Sequence, residues 1–196
     1  ERSSDDGIVG NIYKGIVTDV LPGMEAAFVD VGLERNVFIH VGDIIGSKRK
    51  NKKELKIRSL LQKGDELVVQ IVKEAIGNKG ARATCYITIP GRYLVLMPTV
   101  THVGVSRRIQ DEEERKRLKS LVNDFKPGNM GFITRTAAEG ATAEQLKRDF
   151  RYLDHQWTKI KHGTKKCRAP ALLYKDLDLV QRVVRDTFTE DFDRLV

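Results

Sequence analysis

The sequence predicts an α+β protein in two parts, and three observations carry that reading. Five short runs of strand character crowd into residues 8–90, separated by turns rich in glycine. Beyond residue 91 the apolar positions change to a spacing of three and four over long stretches, with short apolar runs between them. With 196 residues, 40% of them hydrophobic, the chain has material for one or two buried cores. These place one β-rich domain at 8–90 and a smaller α/β domain at 91–196.

In the first part, Asn11 to Val20 alternates apolar and polar residues (Ile12, Lys14, Ile16, Thr18, Val20), the period of a half-buried strand. Leu21-Pro22-Gly23 turns the chain. Glu25 to Val31 and Asn36 to Ile39 are two more strands around Gly32-Leu33-Glu34-Arg35. Leu67 to Val72 and Ala81 to Ile89 complete the set around Gly77-Asn78-Lys79-Gly80. Five strands in so short a span fit a five-stranded OB-fold barrel, whose second and third strands form the usual oligonucleotide-binding face. Phe28 and Phe38 fall on those strands, either as core residues, the commoner fate of a phenylalanine, or, with His40 and Lys79, as the ring stacking and positive charge that hold single-stranded nucleic acid.

In the second part, Arg92 to Met97 is a strand closed by Pro98. Thr101 to Ile109, strand or loop, sets Arg107 and Arg108 beside Ser106. Asp111 to Phe125 is an amphipathic helix with Leu118, Leu121, Val122 and Phe125 on one face and carboxylates at its start, where the helix dipole favours them. Met130 to Thr136 returns as a strand. Thr142 and Gln145 have the spacing of a capping box and open a helix whose stripe is Leu146, Phe150, Leu153, Trp157 and Ile160, which makes Trp157 a packing residue. A last helix runs from about Leu177 to Phe192. Arg135-Thr136, at the end of a strand, pairs a guanidinium fork with a hydroxyl, a combination suited to a terminal phosphate.

Charge and cysteine content narrow the function classes. Lysine and arginine number 35 against 27 acidic residues, a net charge of +8. Much of the excess lies in Lys48 to Lys63, where Lys48, Arg49, Lys50, Lys52, Lys53, Lys56, Arg58 and Lys63 face only Glu54; a loop so dense in like charges repels itself and suits a polyanion. Cys85 and Cys167 stand far apart, which argues against a disulfide framework or a zinc site and fits a reducing cytoplasm. No apolar run approaches the roughly 20 residues of a membrane span, and the polar start Glu1 to Gly7 has no signal-peptide character.

Gly10-Asn11-Ile12-Tyr13-Lys14-Gly15, Glu25-Ala26-Ala27-Phe28-Val29-Asp30, Phe38-Ile39-His40 and Gly77-Asn78-Lys79-Gly80-Ala81 resemble the S-one type RNA-binding domain of the ribonuclease E/G family. Tyr93-Leu94-Val95-Leu96-Met97-Pro98, His102-Val103-Gly104-Val105-Ser106-Arg107-Arg108-Ile109 and Arg135-Thr136-Ala137-Ala138-Glu139-Gly140 are similar to the 5' sensor of that family, nearest its G branch. The resemblance implies RNA contacts at Phe28, Phe38 and Lys79. It implies a 5'-monophosphate held by Arg135 and Thr136, with Val95 and Gly91 near the first nucleotide and Arg107 in support. It further implies a bacterial endoribonuclease of single-stranded RNA, acting in rRNA processing and mRNA decay.

The resemblance also implies Mg²⁺ on two aspartates of a nuclease subdomain and zinc shared between protomers of a homo-oligomer, with neither ligand set assignable in this chain. Asp111-Glu112-Glu113-Glu114 lie along one helix start and Glu190, Asp191 and Asp193 at the chain end, so neither group converges on a metal. The expectation is therefore a segment that binds RNA without cutting it. The competing expectation is a non-catalytic single-stranded RNA-binding or ribosome-associated module, and a weaker one is an assembly role for the basic loop.

Overall fold

The computed structural model describes residues 7–45, 56–77 and 79–187. It divides into two compact units, residues 1–87 with 159–176, and residues 88–158 with 177–196. This departs from a contiguous division at 90/91: the segment from Lys159 to Asp176 belongs with the first unit.

The first unit is a closed five-stranded barrel. Its strands are β1 (Ile12–Leu21), β2 (Ala26–Asp30), β3 (Val37–His40), β4 (Glu66–Lys73) and β5 (Arg82–Thr84). They pair in the order β1-β2-β3-β5-β4, and β4 returns to β1 to close the ring. All pairings are antiparallel except β3 with β5. This is the OB-fold expected from the strand pattern. The period of two drives the closure, because Tyr13, Val17, Ala27, Val29, Val37, Ile39, Val69, Ile71 and Ala83 all turn inward and are buried together. Cys85 joins this core, and burial pushes its thiol up to about 11.

Gly15 shows how tightly the wall is packed. A methyl group there would lie 2.5 Å from the Val29 side chain and 2.8 Å from the Asp30 carbonyl. The run Ala81 to Ile89, expected as one strand, divides instead: β5 stops at Thr84, and Ile89–Pro90 (β6) joins the sheet of the other unit.

A sixth strand, β10 (Ala171–Tyr174), was not foreseen. It lies antiparallel on β1 at Ile12, Tyr13 and Lys14. There β2 no longer reaches, because β2 pairs with β1 only from Ile16 onward. The strand thus covers a stretch of backbone that would otherwise be an open edge. Asp176 completes the seam, its backbone N–H donating to Asn11 Oδ1 at 2.9 Å.

The second unit is built on a four-stranded sheet, β6-β7-β9-β8, with β7 (Leu94–Met97), β8 (Val103–Val105) and β9 (Gly131–Thr134). β9 is antiparallel to β7 and parallel to β8. The helices are α1 (Glu112–Phe125), the start of α2 (Ala143–Lys166) and α3 (Leu179–Thr187). Leu94, Leu96, Phe132, Leu118, Val122, Leu146 and Leu153 are all fully buried. The Phe150 ring lies 5.3 Å from Phe125 and 5.7 Å from Phe132.

Both helix starts follow their sequence signals. Asp111 accepts from the Glu113 N–H at 2.9 Å. Thr142 and Gln145 cap one another, Gln145 N–H to Thr142 Oγ1 and Thr142 N–H to Gln145 Oε1. Trp157 is half-buried. Among the described residues no helix is long and apolar enough to cross a membrane.

Candidate RNA-binding site

The outer wall of the barrel carries the first candidate surface. Phe28 on β2 and Phe38 on β3 sit directly opposite each other, with ring centroids 6.2 Å apart and planes at 69°. Their chain neighbours Ala27, Val29, Val37 and Ile39 are buried, so alternation sends both rings outward, where each is half-exposed. The two phenylalanines are therefore not core residues. The pairing continues across the sheet: Asp19 faces Phe28, Arg82 faces Phe38, and Lys73 faces Arg82. The two rings stand in one transverse row between Asp19 on one side and two cations on the other.

Arg82 and Lys73 escaped the sequence reading. The signal was present in Ala81-Arg82-Ala83, where an exposed arginine stands between two buried alanines. Asp43 steadies the Arg82 guanidinium through an ion pair of 2.8 Å.

Lys79 is exposed on the loop between β4 and β5, held by paired backbone hydrogen bonds with Ile76. This is the connection that OB-folds commonly use beside their second and third strands. The loop returns directly to β3, where the Phe38 N–H donates to the Ala81 carbonyl at 2.8 Å. His40 is exposed at the end of β3, its Nδ1 accepting from the Gly42 N–H. Of the basic stretch, Lys56, Arg58 and Lys63 lie in the described chain; Lys48, Arg49, Lys50, Lys52 and Lys53 fall outside the described residues, as do Asn78 and the carboxylates Glu190, Asp191 and Asp193.

The second candidate surface gathers around Arg135, just past the end of β9. Its Nη1 donates to the Gly91 carbonyl and its two Nη atoms grip the Asp186 carboxylate at 2.8 and 3.0 Å. Arg185 holds the same carboxylate from its own Nε and Nη2 at 2.9 and 3.0 Å. Asp186 thus lies between two guanidinium groups, and their hydrogen bonds, Arg135 foremost, hold its carboxyl far below the usual carboxylate range against the opposing effect of burial. Nε–H and one Nη2–H of Arg135 have no partner among the described residues, leaving one edge of the fork free.

Gly91 owes its place to Asp149 of α2. That carboxylate accepts from the backbone N–H groups of Arg92, Tyr93 and Leu94 at 3.1, 2.8 and 2.8 Å. A methyl group on Gly91 would come within 2.5 Å of both Asp149 oxygens. The loop that presents its carbonyl to Arg135 is therefore fixed from below.

Thr136 is exposed and shares a hydrogen bond of 3.0 Å with Ser106 Oγ, so it joins the Ser106-Arg107-Arg108 loop. Arg115 of α1 anchors that loop by donating to the Ser106 and Ile109 carbonyls. Arg107 is exposed. Val95 is half-buried on β7 opposite Ile133 of β9.

The structure accordingly joins Arg135 with Gly91, and Thr136 with the loop of Arg107; the two neighbouring residues engage different partners. Asp149, Arg185 and Asp186 had no warning in the sequence, since each acts across more than 40 residues or from a helix read only for its apolar face. Among the described residues no three histidines, cysteines or carboxylates are arranged to hold a metal ion.

Comparison with known proteins adds to this geometry. The model of the ribonuclease E/G family matches residues 88–196. Along its whole length the chain is 47% identical to ribonuclease G of Escherichia coli (strain K12) and to ribonuclease G of Salmonella typhimurium (strain SL1344). It spans 41% of the length of each. It is also 47% identical to ribonuclease E of Nostoc sp. (strain PCC 7120) over 96% of this chain and 27% of that protein.

Proposed function

Because the chain belongs to the ribonuclease E/G family, we propose that it is the RNA-recognition part of an endoribonuclease. On this reading the barrel holds single-stranded RNA and the Arg135 corner reads a 5'-monophosphate. The observation that carries it is the outward Phe28–Phe38 pair in one row with Arg82 and Lys73. Two half-exposed rings on an OB wall offer stacking for successive bases, and the two cations beside Phe38 suit the backbone. Lys79, on the adjoining loop, adds a further cation.

At the Arg135 corner the chemistry of choice is a charged end. A 5'-monophosphate carries about −1.5 to −2 charge, whereas a 5'-hydroxyl carries none. The free edge of the Arg135 fork gives two parallel donors to such a group, and Thr136 and Arg107 stand by on the neighbouring loop. Val95 and Gly91 would flank the first nucleotide.

The rest of the reading concerns the whole protein. RNA cleavage with Mg²⁺, zinc-linked homo-oligomers, action in rRNA processing and mRNA decay, and a cytoplasmic place are proposed for it on the strength of the family.

The test is a titration of the chain with matched oligonucleotides that differ only at the 5' end. Tighter binding of the 5'-monophosphate form, with the preference abolished in Arg135→Ala, is the expected result. A lost charge-assisted pair of this kind corresponds to about 1.5–3 kcal/mol. Equal affinities in the unaltered chain would overturn the sensor and favour a plain single-strand-binding module.

A further inference from the structure

Beyond the barrel wall and the Arg135 corner, we propose that the end of α2, from Lys159 to Arg168, is a third surface, a track for the phosphodiester backbone of single-stranded RNA. The proposal rests on the reading of this chain as RNA-binding, but on a separate set of residues.

Lys159, Lys161, Lys165, Lys166 and Arg168 are all exposed, with exposed His162 among them, and no carboxylate occurs anywhere from His155 to Lys175. None of the five has an ion-pair partner among the described residues. Several helix cations elsewhere are paired. On α1, Arg115, Lys116 and Arg117 each meet the glutamate three residues earlier, and on α2 itself Arg151 meets Glu144 at 2.7 Å. What sets the end of α2 apart is that five cations gather within ten residues with no carboxylate among them.

Their arrangement is one-sided. Ile160 is fully buried, a methyl group on Gly163 would lie 3.2 Å from the Leu173 side chain, and Thr164 returns its hydroxyl to the Ile160 carbonyl. The helix is thus pinned on that face, and Lys159, Lys161, His162, Lys165 and Lys166 occupy the other. Lys161–Lys165 and His162–Lys166 are neighbours at one-turn spacing, about 5.4 Å along the axis. Like charges at that spacing repel, and the partial negative charge at a helix C-terminus relieves only the last turn. A polyanion laid along the face removes the repulsion and releases its own counterions.

The surface also adjoins the barrel wall within the same compact unit. Lys14 on β1 donates to the Cys167 carbonyl at 3.0 Å, which ties the end of α2 to the outer side of the strand whose Asp19 faces Phe28.

The decisive measurement is the salt dependence of affinity for a 5'-hydroxyl single-stranded oligonucleotide, which takes the Arg135 corner out of play. The variant is Lys161→Gln/Lys165→Gln/Lys166→Gln in the 196-residue chain. The slope of log affinity against log salt is expected to fall in magnitude by about 2, roughly 0.7 for each lost phosphate contact, with affinity down on the order of tenfold near 0.1 M salt.

A control triple, Lys116→Gln/Lys119→Gln/Lys147→Gln, removes equal charge elsewhere and is expected to leave the slope nearly unchanged. An unchanged slope in the first triple, or an equal fall in both, overturns the proposal. Should the triple fold poorly, each single change at Lys161, Lys165 or Lys166 is expected to lower the slope by about 0.7, and no change in any of them overturns it equally. Failure of the unaltered chain to bind the oligonucleotide would sink the RNA-binding reading itself, a different result from either.

Discussion

On the proposed function the barrel wall and the Arg135 corner would meet RNA by opposite physical means. On the wall, Phe28 and Phe38 expose ring surface to water and meet each other only edge-on at 6.2 Å. Nothing polar holds them, and every base has a face to offer them. At the corner, Arg135 is held by Gly91 and Asp186, Asp186 by Arg185, and the Gly91 loop by Asp149. The first surface tolerates any sequence because it asks only for stacking; the second is organised in advance around one charge. On that proposal, a molecule with both would take hold of many strands and still respond to how a strand begins.

That contrast breaks most visibly on the wall. Phe28→Ala/Phe38→Ala is expected to weaken single-stranded RNA by about 1–3 kcal/mol for each lost stack, whatever the 5' end, while the ratio of monophosphate to hydroxyl affinity stays put. Anisotropy titrations with both oligonucleotides measure it. A variant that binds both as tightly as the unaltered chain would remove the rings from the site.

The same contrast explains what could be read in advance. A strand sends alternate side chains to opposite faces, so the position of Phe28 beside buried Ala27 and Val29 is already written in the pattern, and the barrel follows from five such runs. Period two is a local property. The corner depends on Asp149 meeting Leu94 across 55 residues and Asp186 meeting Arg135 across 51, and no spacing along the chain encodes such meetings. β10 escaped for a related reason: Ala171–Tyr174 is too short to show alternation, and it becomes a strand because β1 has an uncovered edge at Ile12–Lys14. Arg135 was singled out by the family resemblance, since by itself an arginine at a strand end reads as a cap; what holds it had no signal in the sequence.

A smaller effect sharpens the corner. Asp186→Asn removes the negative charge between two guanidinium groups and weakens the grip on both Nη atoms of Arg135. The fork then loses its fixed edge, and the preference for a 5'-monophosphate is expected to fall about fivefold, near 1 kcal/mol, with 5'-hydroxyl binding unaffected. A rise in preference would mean that Asp186 competes with phosphate for the arginine, the reverse of its assigned role.

The smallest effect concerns the support beneath the corner. Glu114 on α1 accepts two bonds from Arg117 at 2.6 and 2.7 Å and one from the Gly140 N–H at 2.8 Å, tying the helix to the turn that follows Arg135-Thr136. The Arg117 hydrogen bonds, above all, bring its carboxyl down to about 2 from an ordinary 4.5. A folded-state value below the unfolded one means stability that is fully present above about pH 4.5 and lost as the pH falls toward 2. Glu114→Gln is therefore expected to lower the melting temperature slightly at neutral pH and to flatten the acid limb between those two values. Asp186 titrates in both proteins and cancels in the difference. Thermal melts of the two chains across that range decide the point: parallel acid limbs would mean that the bond to Gly140 and Arg117 is not what titrates, and that the turn after Thr136 keeps its shape without it.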